Sequence, residues 1–373
     1  MRLKFSIAIA KLAGFASKQL LRKSGATIPG KILLSIYPKA LSVLAKNRTI
    51  ILVSGTNGKT STTRAITKCV ESLGQTVSNS TGSNLDRVVA TALMNKSKYA
   101  VLEVDELHLI KVAKETNPKV VLLLNLTRDQ LHRMHEVKKV AKRWHDLARE
   151  LPNTTFIGDV DDPFVAYALN GGFAPKRISF GGRAHEDGAV CPNCGKYLNW
   201  NQKGFNCSCG LTNKDAEINL TAGSAAIRNA QLANIAAEKI GAAPIEINEA
   251  ALERSAELNV KGVRTKLRLT KNPASWREAL LGIRSNNVIL ILNAREVDGI
   301  DTSWLWDIDF SSLKGKKIAV TGERALDMVY RLHVQGIDSK DFKDFESAVG
   351  HFEKNSNVDV LAAYTAFHGL VRA

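Results

Sequence analysis

The sequence contains no apolar run long enough to cross a membrane as a helix. The longest run in its 373 residues, Ser6 to Ala16, is interrupted by Lys11, whereas a membrane-spanning helix needs roughly 20 apolar residues. Aromatic residues are few, at 6%, but hydrophobic residues make up 45% of the chain and charged residues 24%. This mixture excludes wholesale disorder and predicts a globular protein. At about 150 residues per domain, the length predicts two or three domains.

Acidic residues are missing from the first 48 positions, which hold ten Lys and Arg side chains and so most of the net charge of +16. Such a concentration of positive charge predicts an anionic partner, either nucleic acid or a membrane surface. Residues 3–23 are expected to form an amphipathic helix. Its basic face would carry Lys4, Lys11, Lys18 and Arg22, and its apolar face Ile9, Ala13, Ala16 and Leu20. Helices of this kind lie on an anionic bilayer, pack against a domain or act as organelle transit peptides, and the sequence leaves all three open.

Cysteine is scarce and unevenly placed, which argues against a secreted disulfide scaffold. Four of the five cysteines lie within positions 191–209, and Cys69 stands alone. The four form CxxC followed by CxC, with a glycine after each pair; they are Cys191, Cys194, Cys207 and Cys209. Thiolates at this spacing are typical of a structural Zn²⁺ site, with iron as the second candidate metal. A zinc ribbon is therefore predicted over 185–212, and Cys69 is expected in the core of a helix.

Short hydrophobic runs alternate with helical segments along the chain. The predicted strands are 49–54, 99–104, 119–125, 288–293, 317–321 and 358–364, and the clearest predicted helices are 60–74 and 226–241. This alternation is typical of an α/β protein whose parallel sheet is covered by helices on both faces. The pattern restarts near Asn272, so a second α/β unit is predicted there.

The first predicted strand ends in a glycine-rich turn, Gly55-Thr56-Asn57-Gly58-Lys59-Thr60, and Ser61 continues into a helix. Glycines in such a P-loop let backbone amides and the helix N-terminus surround a phosphate. We expect Lys59 to reach the β- and γ-phosphates of ATP, and the Thr60 hydroxyl to bind Mg²⁺. Ligands gather at the carboxyl ends of parallel strands, so Glu103 is expected as a further Mg²⁺ ligand and Asn125 as a third group of the site.

Further strings resemble those of the Mur ligase family over nearly the whole chain. They are GTNGKT (55–60), EVDE (103–106), NLTRDQLHR (125–133), DVDDP (159–163), KNPA (271–274), DGIDTSWLWDIDF (298–310), GERALDM (322–328) and YTAF (364–367). EVDE, NLTRDQLHR, the four-cysteine insertion and the last four strings are similar to the branch of the family that amidates lipid II. The resemblance implies a basic N-terminal segment at 1–45, a Mur-ligase-type central ATPase domain at 46–255 and a C-terminal domain at 260–373. It also implies that Asn229 contacts adenine.

The activity implied by this resemblance is that of an ATP-dependent carbon–nitrogen ligase in peptidoglycan synthesis. The α-carboxylate of D-glutamate in the lipid II stem peptide would form an acyl phosphate, which ammonia would convert to D-isoglutamine. Ammonia would come from a GatD-like glutamine amidotransferase subunit in a heterodimer. Asp301 is the first choice, and Asp298 the second, for a residue that completes the glutaminase site of that partner. The implied location is the cytoplasm, with the basic helix as a peripheral contact to the inner face of the plasma membrane.

Two other functions remain open on the sequence alone. One is a Mur- or folylpolyglutamate-type ligase that joins an amino acid in place of ammonia; the zinc ribbon and the loop at 298–310 count against it. The other is a zinc-ribbon P-loop protein that binds nucleic acid through its basic end. Because the positive charge lies in the first helix and not in the ribbon, a lipid surface is favoured and nucleic acid is not an expected partner.

Overall fold

The structure, a computed structural model, describes residues 2–21, 27–80, 84–128, 137–181, 185, 187–220, 223–246, 255–295 and 298–372. The chain divides into two compact units. Unit 1 comprises residues up to 126 together with 137–252, and unit 2 comprises 127–136 together with 253–373. The domain boundaries expected from the sequence, at 45/46 and between 255 and 260, stay predictions. Residues 129–133 of the string at 125–133, and Arg22 of the expected basic face, lie outside the described residues.

Unit 1 is an alternation of helices and strands. Its elements are α1 (Arg2–Leu21), α2 (Thr27–Ile36), α3 (Ala40–Ala45), β1 (Thr49–Ser54), α4 (Lys59–Glu71), β2 (Thr76–Ser78), α5 (Asp86–Leu93), β3 (Tyr99–Glu103), α6 (Leu109–Thr116), β4 (Val120–Leu123), α7 (Val137–Glu150), β5 (Thr155–Asp159), α8 (Pro163–Leu169), β6 (Lys176–Ser179), β7 (Asn199–Asn201), β8 (Gly204–Asn206), β9 (Ile218–Asn219) and α9 (Ala225–Glu238). The strands expected at 49–54, 99–104 and 119–125 are present within two residues of their expected ends.

In the part of unit 1 that is described, seven strands pair in the order β2-β3-β1-β4-β5-β6-β9, and every pairing is parallel. On one face, Ile51 and Val53 pack with Ile66 and Cys69 of α4 in a cluster that α9 completes. Successive strand residues point to opposite faces, and Leu52, on the other face, is also fully buried. Cys69 is therefore a core residue, as expected. Burial on both faces explains the continuous Val, Ile and Leu runs of these strands.

The register brings three functional segments to one edge of this sheet. Val53 of β1 pairs with Glu103 of β3, and Ser54 pairs with Leu123 of β4. The glycine-rich turn, the carboxyl end of β3 and the segment after β4 are consequently neighbours. The prediction that polar groups meet at the strand ends depended on this register.

The N-terminal helices pack within unit 1. A side chain at Gly30 of α2 would collide with the backbone of α5, since a Cβ there would lie 1.6 Å from the Arg87 carbonyl oxygen. The Gly30 amide also donates to Thr91 Oγ1, at 2.9 Å. Likewise, a Cβ at Gly14 of α1 would lie 2.5 Å from the Pro29 ring. The close approach of these helices therefore depends on small residues.

The buried side of α1 differs from both expected faces. The side that packs inward carries small residues, with Ser6, Ala10, Gly14 and Ser17 all buried. Ala16, expected on the apolar face, is exposed, together with Phe5, Leu12 and Phe15. Close helix packing here selects small side chains and leaves the large ones outside. The side chains of Lys18 and Leu20 lie outside the described part of the chain.

Unit 2 is a second α/β unit, as predicted. Its elements are β10 (Ser255–Val260), β11 (Val263–Leu269), α10 (Pro273–Leu281), β12 (Asn287–Ile291), two short 3₁₀ helices (Ser303–Asp307 and Ser311–Leu313), β13 (Lys317–Thr321), α11 (Ala325–Val334), β14 (Lys340–Asp341), α12 (Phe345–Val349), β15 (Asn357–Ala362) and α13 (Tyr364–Arg372). The order of its described strands is β10-β11-β15-β12-β13-β14, antiparallel only at β10-β11. Asn272 caps α10 through its side chain, which accepts from the Ser275 amide at 3.0 Å.

Among the described residues, no helix combines the length and apolar character that a membrane crossing requires.

Candidate functional site

The glycine-rich turn joins β1 to α4 in the way the sequence predicts. Gly58 has φ of +86° and occupies the position immediately before α4, a conformation that disfavours other residues. A Cβ at Gly58 would also lie 2.2 Å from Nδ2 of Asn229. Lys59, Thr60 and Ser61 form the first turn of the helix, so their backbone amides are at its positive end. The turn and the helix together make an anion-binding arrangement.

Asn125 fixes the conformation of this turn. Its Oδ1 accepts from the Asn57 amide and its Nδ2 donates to the Asn57 carbonyl, both at 2.9 Å. The Asn125 carbonyl accepts from the Thr56 amide, also at 2.9 Å. The structure thus brings Asn125 to the phosphate loop, as the sequence predicted, and gives it a supporting role that the sequence did not specify.

Lys59 is buried at the base of the loop, with 8% of its surface exposed. Its ammonium donates to the Gly55 carbonyl, lies 3.4 Å from the Thr56 carbonyl and forms an ion pair with Glu106 at 3.2 Å. Glu106 is itself buried. Sequence reasoning noted Glu106 in the EVDE string but gave it no role, because its place beside Lys59 depends on the path of the chain after β3.

Glu103 ends β3 and is also buried, with 4% of its surface exposed. Its backbone amide and carbonyl both bond to the side chain of Asn79, at 2.7 and 2.8 Å. Asn79, which the sequence analysis did not single out, therefore positions the end of β3. Thr60 and Glu103 belong to adjacent segments of the sheet edge, and both offer the oxygen ligands that Mg²⁺ prefers. This donor chemistry fits the metal expected there.

Asn229 lies on α9, next to a buried charge cluster. The neighbouring Arg228 is paired with Asp159, has Asp161 at 3.8 Å and stacks over the Phe180 ring at 4.9 Å. Burial raises the pKa of Asp159 to about 7, although the Arg228 cation pulls it in the opposite direction. The contact between Gly58 and Asn229 shows that α9 reaches the phosphate loop.

The last acid of the DVDDP string, Asp162, joins two segments of unit 1. Asp162 caps α8 by accepting from the amides of Phe164 and Val165 at 2.8 and 3.2 Å. Its other oxygen accepts from the Leu126 amide at 2.7 Å and lies 3.2 Å from His185 Nε2. Asp162 therefore links the segment after β4 to the start of the cysteine-rich region, and His185 is a contact that the sequence analysis missed.

The four clustered cysteines converge in space. Their sulfur atoms all lie within 4.8 Å of one another, with Cys191–Cys209 at 3.7 Å and Cys194–Cys207 at 3.4 Å. Along the chain, the antiparallel hairpin β7–β8 lies between the CxxC motif (Cys191 and Cys194) and the CxC motif (Cys207 and Cys209). Four thiol donors in one tetrad suit a soft tetrahedral ion such as zinc, and leave no open position for a substrate.

The first and last cysteines of this cluster, Cys191 and Cys209, differ in acidity as free thiols. Burial raises the pKa of Cys191 to about 12. Burial also acts to raise the pKa of Cys209, but the Leu211 amide and the neighbouring thiols outweigh it and lower the pKa to about 6. A thiolate must form at every position before a divalent metal is bound, so metal binding would release protons.

Asp298 and Asp301 lie in the same loop of unit 2 but in different surroundings. Asp298 is buried and accepts from the amide and hydroxyl of Thr365, at 2.7 and 2.6 Å, and from the Arg295 amide at 3.2 Å. Asp301 is exposed, and one of its oxygens accepts from the Ser303 amide at 2.8 Å. A carboxylate offered to another protein must be accessible, which favours Asp301.

Two protein families match the chain. The Mur ligase middle domain matches residues 53–237, and the MurT ligase C-terminal domain matches residues 269–367. Among curated proteins, the MurT subunit of lipid II isoglutaminyl synthase (glutamine-hydrolyzing) from Streptococcus pneumoniae is 28% identical, covering 98% of this chain and 96% of its own. The MurT subunit from Staphylococcus aureus is 28% identical, covering 91% of this chain and 89% of its own.

Solved structures share the fold. A pseudomurein peptide ligase type C from Methanothermus fervidus has a TM-score of 0.65 at 17% identity, covering 88% of this chain and 79% of its own. MurF ligase from Thermotoga maritima, solved with ADP, has a TM-score of 0.63 at 13% identity, covering 92% and 83%. The chain therefore carries a Mur ligase middle domain and a C-terminal domain of the MurT type, and it is similar to MurT subunits over nearly its whole length. Its predicted fold and its predicted class, ATP-dependent ligase, are confirmed.

Proposed function

We propose that this chain is the synthetase subunit of a lipid II isoglutaminyl synthase, which forms D-isoglutamine in a peptidoglycan precursor. The observation that carries the proposal is the similarity to two curated MurT subunits over 98% and 91% of the chain. The match of residues 269–367 to the MurT C-terminal domain supports ammonia, and not an amino acid, as the nitrogen source. We assign the enzyme to the cytoplasm, where ATP is available.

The reaction takes place in two steps at one carboxyl group. The α-carboxylate of D-glutamate receives the γ-phosphoryl group of ATP, and ADP is released. The nitrogen of ammonia then bonds to the acyl carbon, the bond from that carbon to the phosphate oxygen breaks, and a proton leaves the nitrogen as the amide forms. Neither step needs a nucleophile from the protein, so the site has to position phosphates and neutralise charge.

Lys59 is suited to this task. Its ammonium is held by Glu106 and by carbonyl groups of the loop. We infer that phosphate oxygens replace Glu106 as its partner, while the turn from Gly55 to Gly58 and the first turn of α4 donate amides. Thr60 and Glu103 supply oxygen ligands for Mg²⁺, which neutralises charge on the transferred phosphoryl group when it is bound. Asn229 is the proposed adenine contact.

The four-cysteine cluster is proposed to bind zinc as a structural ion. All four donors are thiols, and their convergence within 4.8 Å supports a single ion. An ion at this position would connect the two ends of the β7–β8 hairpin. It takes no part in the reaction, because four protein ligands exclude a substrate.

We propose that ammonia comes from a GatD-like glutamine amidotransferase subunit, and that Asp301 completes the active site of that partner. An Asp in this role orients a catalytic histidine by accepting its N–H. The exposure of Asp301 supports the assignment, and the buried hydrogen bonds of Asp298 count against the alternative. We propose that Asp298 stabilises the fold and takes no part in ammonia production.

The test is reconstituted amidation. The purified chain is mixed with lipid II in detergent, Mg²⁺ and ATP, and either ammonium or glutamine plus the glutaminase subunit. We expect amidated stem peptide by mass spectrometry and one ADP per amide. Ammonium should support the reaction without the partner. The proposal is wrong if ammonium gives no amide while the same preparation adds an amino acid to a UDP-linked or folate acceptor.

A further inference from the structure

We propose that the exposed face of α1 is a docking surface for an anionic lipid bilayer. Seven exposed side chains make up this face: Lys4, Phe5, Ala8, Lys11, Leu12, Phe15 and Ala16. We call them the α1 face. At 100° of rotation per residue they cover an arc of about 140° on one side of the helix.

The α1 face is strongly apolar. Phe5, Leu12 and Phe15 are 67%, 71% and 65% exposed, and Ala8 and Ala16 complete a continuous apolar stripe. Clustered large apolar side chains on a surface mark an interaction site far more often than scattered ones. Since the opposite side of α1 is occupied by α2 through Gly14 and Pro29, the stripe does not contribute to the packing of these two helices.

The charges on and around the face favour an anionic lipid surface as its occupant. Lys4 and Lys11 lie at one border of the stripe, and the first 48 residues contain ten basic and no acidic side chains. Anionic headgroups attract lysines, while aromatic and aliphatic side chains enter the boundary between headgroups and acyl chains. A second copy of the chain would bring the same positive charge to the contact and be repelled. Nucleic acid would pair with the lysines but leave the apolar stripe largely unused.

The proposed bilayer contact adds to the proposed function. It rests on that function only for its biological purpose. Lipid II is fixed in a membrane, so an enzyme that acts on it gains from residence at that surface. Residence at the membrane raises the local concentration of lipid II around the enzyme and does not change the chemical step. Vesicle binding can therefore be measured without ATP, ammonia or acceptor, and its outcome is separate from that of the amidation test.

The experiment is vesicle flotation of the full chain. Vesicles of phosphatidylglycerol and phosphatidylcholine are compared with vesicles of phosphatidylcholine alone. We expect wild-type protein to float with the anionic vesicles and about tenfold less with the neutral ones. The variants Phe5→Ser/Leu12→Ser/Phe15→Ser and Lys4→Glu/Lys11→Glu should each bind anionic vesicles at least about tenfold more weakly. High salt should weaken binding of the wild type.

A matched control removes equally exposed apolar side chains elsewhere: Phe173→Ser/Leu326→Ser/Tyr330→Ser, at positions 71%, 70% and 60% exposed. This variant should float like the wild type, and thermal melting should show that all the variants fold. Normal flotation of the Phe5/Leu12/Phe15 variant overturns the proposal, as does equal binding to neutral vesicles. Failure of the wild type to float also overturns it. In that case, size-exclusion chromatography tests for a dimer through α1, and a DNA-binding assay tests for nucleic acid on this face. Flotation without amidation would refute the enzymatic proposal alone.

Discussion

The ammonium of Lys59 forms a buried ion pair with the carboxylate of Glu106, with 3.2 Å between Nζ and Oε1. Both residues are less than one-tenth exposed. Taking two charges out of water is costly unless each has a partner, and this pair gives the Lys59 ammonium a partner at the position where we propose that phosphate binds. In the proposed mechanism, Glu106 competes with the nucleotide phosphates for the same cation.

Replacing Lys59 with alanine should abolish ATP turnover. The variant lacks the charge that we propose positions the β- and γ-phosphates, and mutational losses of comparable electrostatic groups are on the order of 10²–10³ in rate. Phosphate release in the presence of acceptor and ammonium measures the effect. Lys68→Ala is the matched control, because Lys68 lies on the same helix but is exposed. It should retain normal turnover.

The Lys59→Ala variant must also be shown to fold, since it leaves Glu106 buried without its cation. Circular dichroism and binding of the four-cysteine metal provide that check. If the folded variant hydrolyses ATP at the normal rate, the proposed roles of Lys59 and of the phosphate loop in the mechanism are wrong.

The sequence predicts those parts of the site that depend on local structure. A strand, a glycine-rich turn and Lys59 at a helix start are adjacent in the chain, so their geometry follows from backbone conformation alone. Asn125 was predictable because a parallel sheet brings strand ends together. The contact of Glu106 with Lys59 was not predictable, since it depends on a non-regular segment whose path is set by tertiary packing.

The first helix shows a different limit. Hydrophobicity places Ala16 on the apolar face of α1, and the structure leaves it exposed while Ser6 and Gly14 pack inward. Two helices that approach closely need small side chains at the contact, and size overrides polarity there. A pattern of apolar residues cannot distinguish a helix face that packs within the protein from one that stays exposed and can bind another partner.

Replacing Asp301 with asparagine should separate the two nitrogen sources. Asparagine cannot stabilise the positive charge on a partner histidine, so glutamine-driven amidation should fall by on the order of 10²-fold or more. Amidation driven by free ammonium should stay near the wild-type rate, because Asp301 does not contact the acceptor in this proposal. Rates with each source, at equal ATP and lipid II, measure the ratio.

Asp298→Asn is the companion variant for Asp301. Its carboxylate accepts from the Thr365 amide, from the Thr365 hydroxyl and from the Arg295 amide, so its loss should lower the free energy of unfolding by about 1–3 kcal/mol. Its activity should not depend on the nitrogen source. If Asp301→Asn also reduced both activities equally, the assignment of Asp301 to the partner's active site would be wrong.

Replacing Cys191 with serine should remove the proposed zinc and destabilise unit 1. One of four thiolate ligands is lost from a cluster whose sulfur atoms lie within 4.8 Å, and loss of a structural metal costs about 2 kcal/mol or more. Metal analysis of the purified protein should change from one zinc per chain to a small fraction of one. A strong chelator should lower the melting temperature of the wild type but leave that of the variant unchanged.

Cys69→Ala is the control for Cys191→Ser, because Cys69 is equally buried but lies in the core of α4. It should lose some stability through packing and keep its metal. Iron in place of zinc would be recognised by visible absorption. A Cys191→Ser protein that is metal-free and melts with the wild type would contradict a structural role for the cluster.

Asp159 should make the stability of unit 1 depend on pH. Burial raises its pKa to about 7, from an ordinary value of about 4. The folded protein therefore holds a proton that the unfolded chain has already released, and stability falls as pH rises from about 4 to about 7. At 1.36 kcal/mol per pKa unit, the contribution lost across this window is at most about 4 kcal/mol.

The Asp159→Asn variant isolates this contribution, because asparagine does not titrate. Melting temperatures of both proteins are measured from pH 5 to pH 8, and the difference between them is taken at each pH, so that all other titrating groups cancel. The stability of the wild type relative to the variant should decrease as pH rises and level off above about pH 7. A difference that stays constant across the range would mean that Arg228 keeps Asp159 ionised throughout. A pKa lowered by the ion pair would give the same constant difference, because the change in stability would then fall below about pH 4.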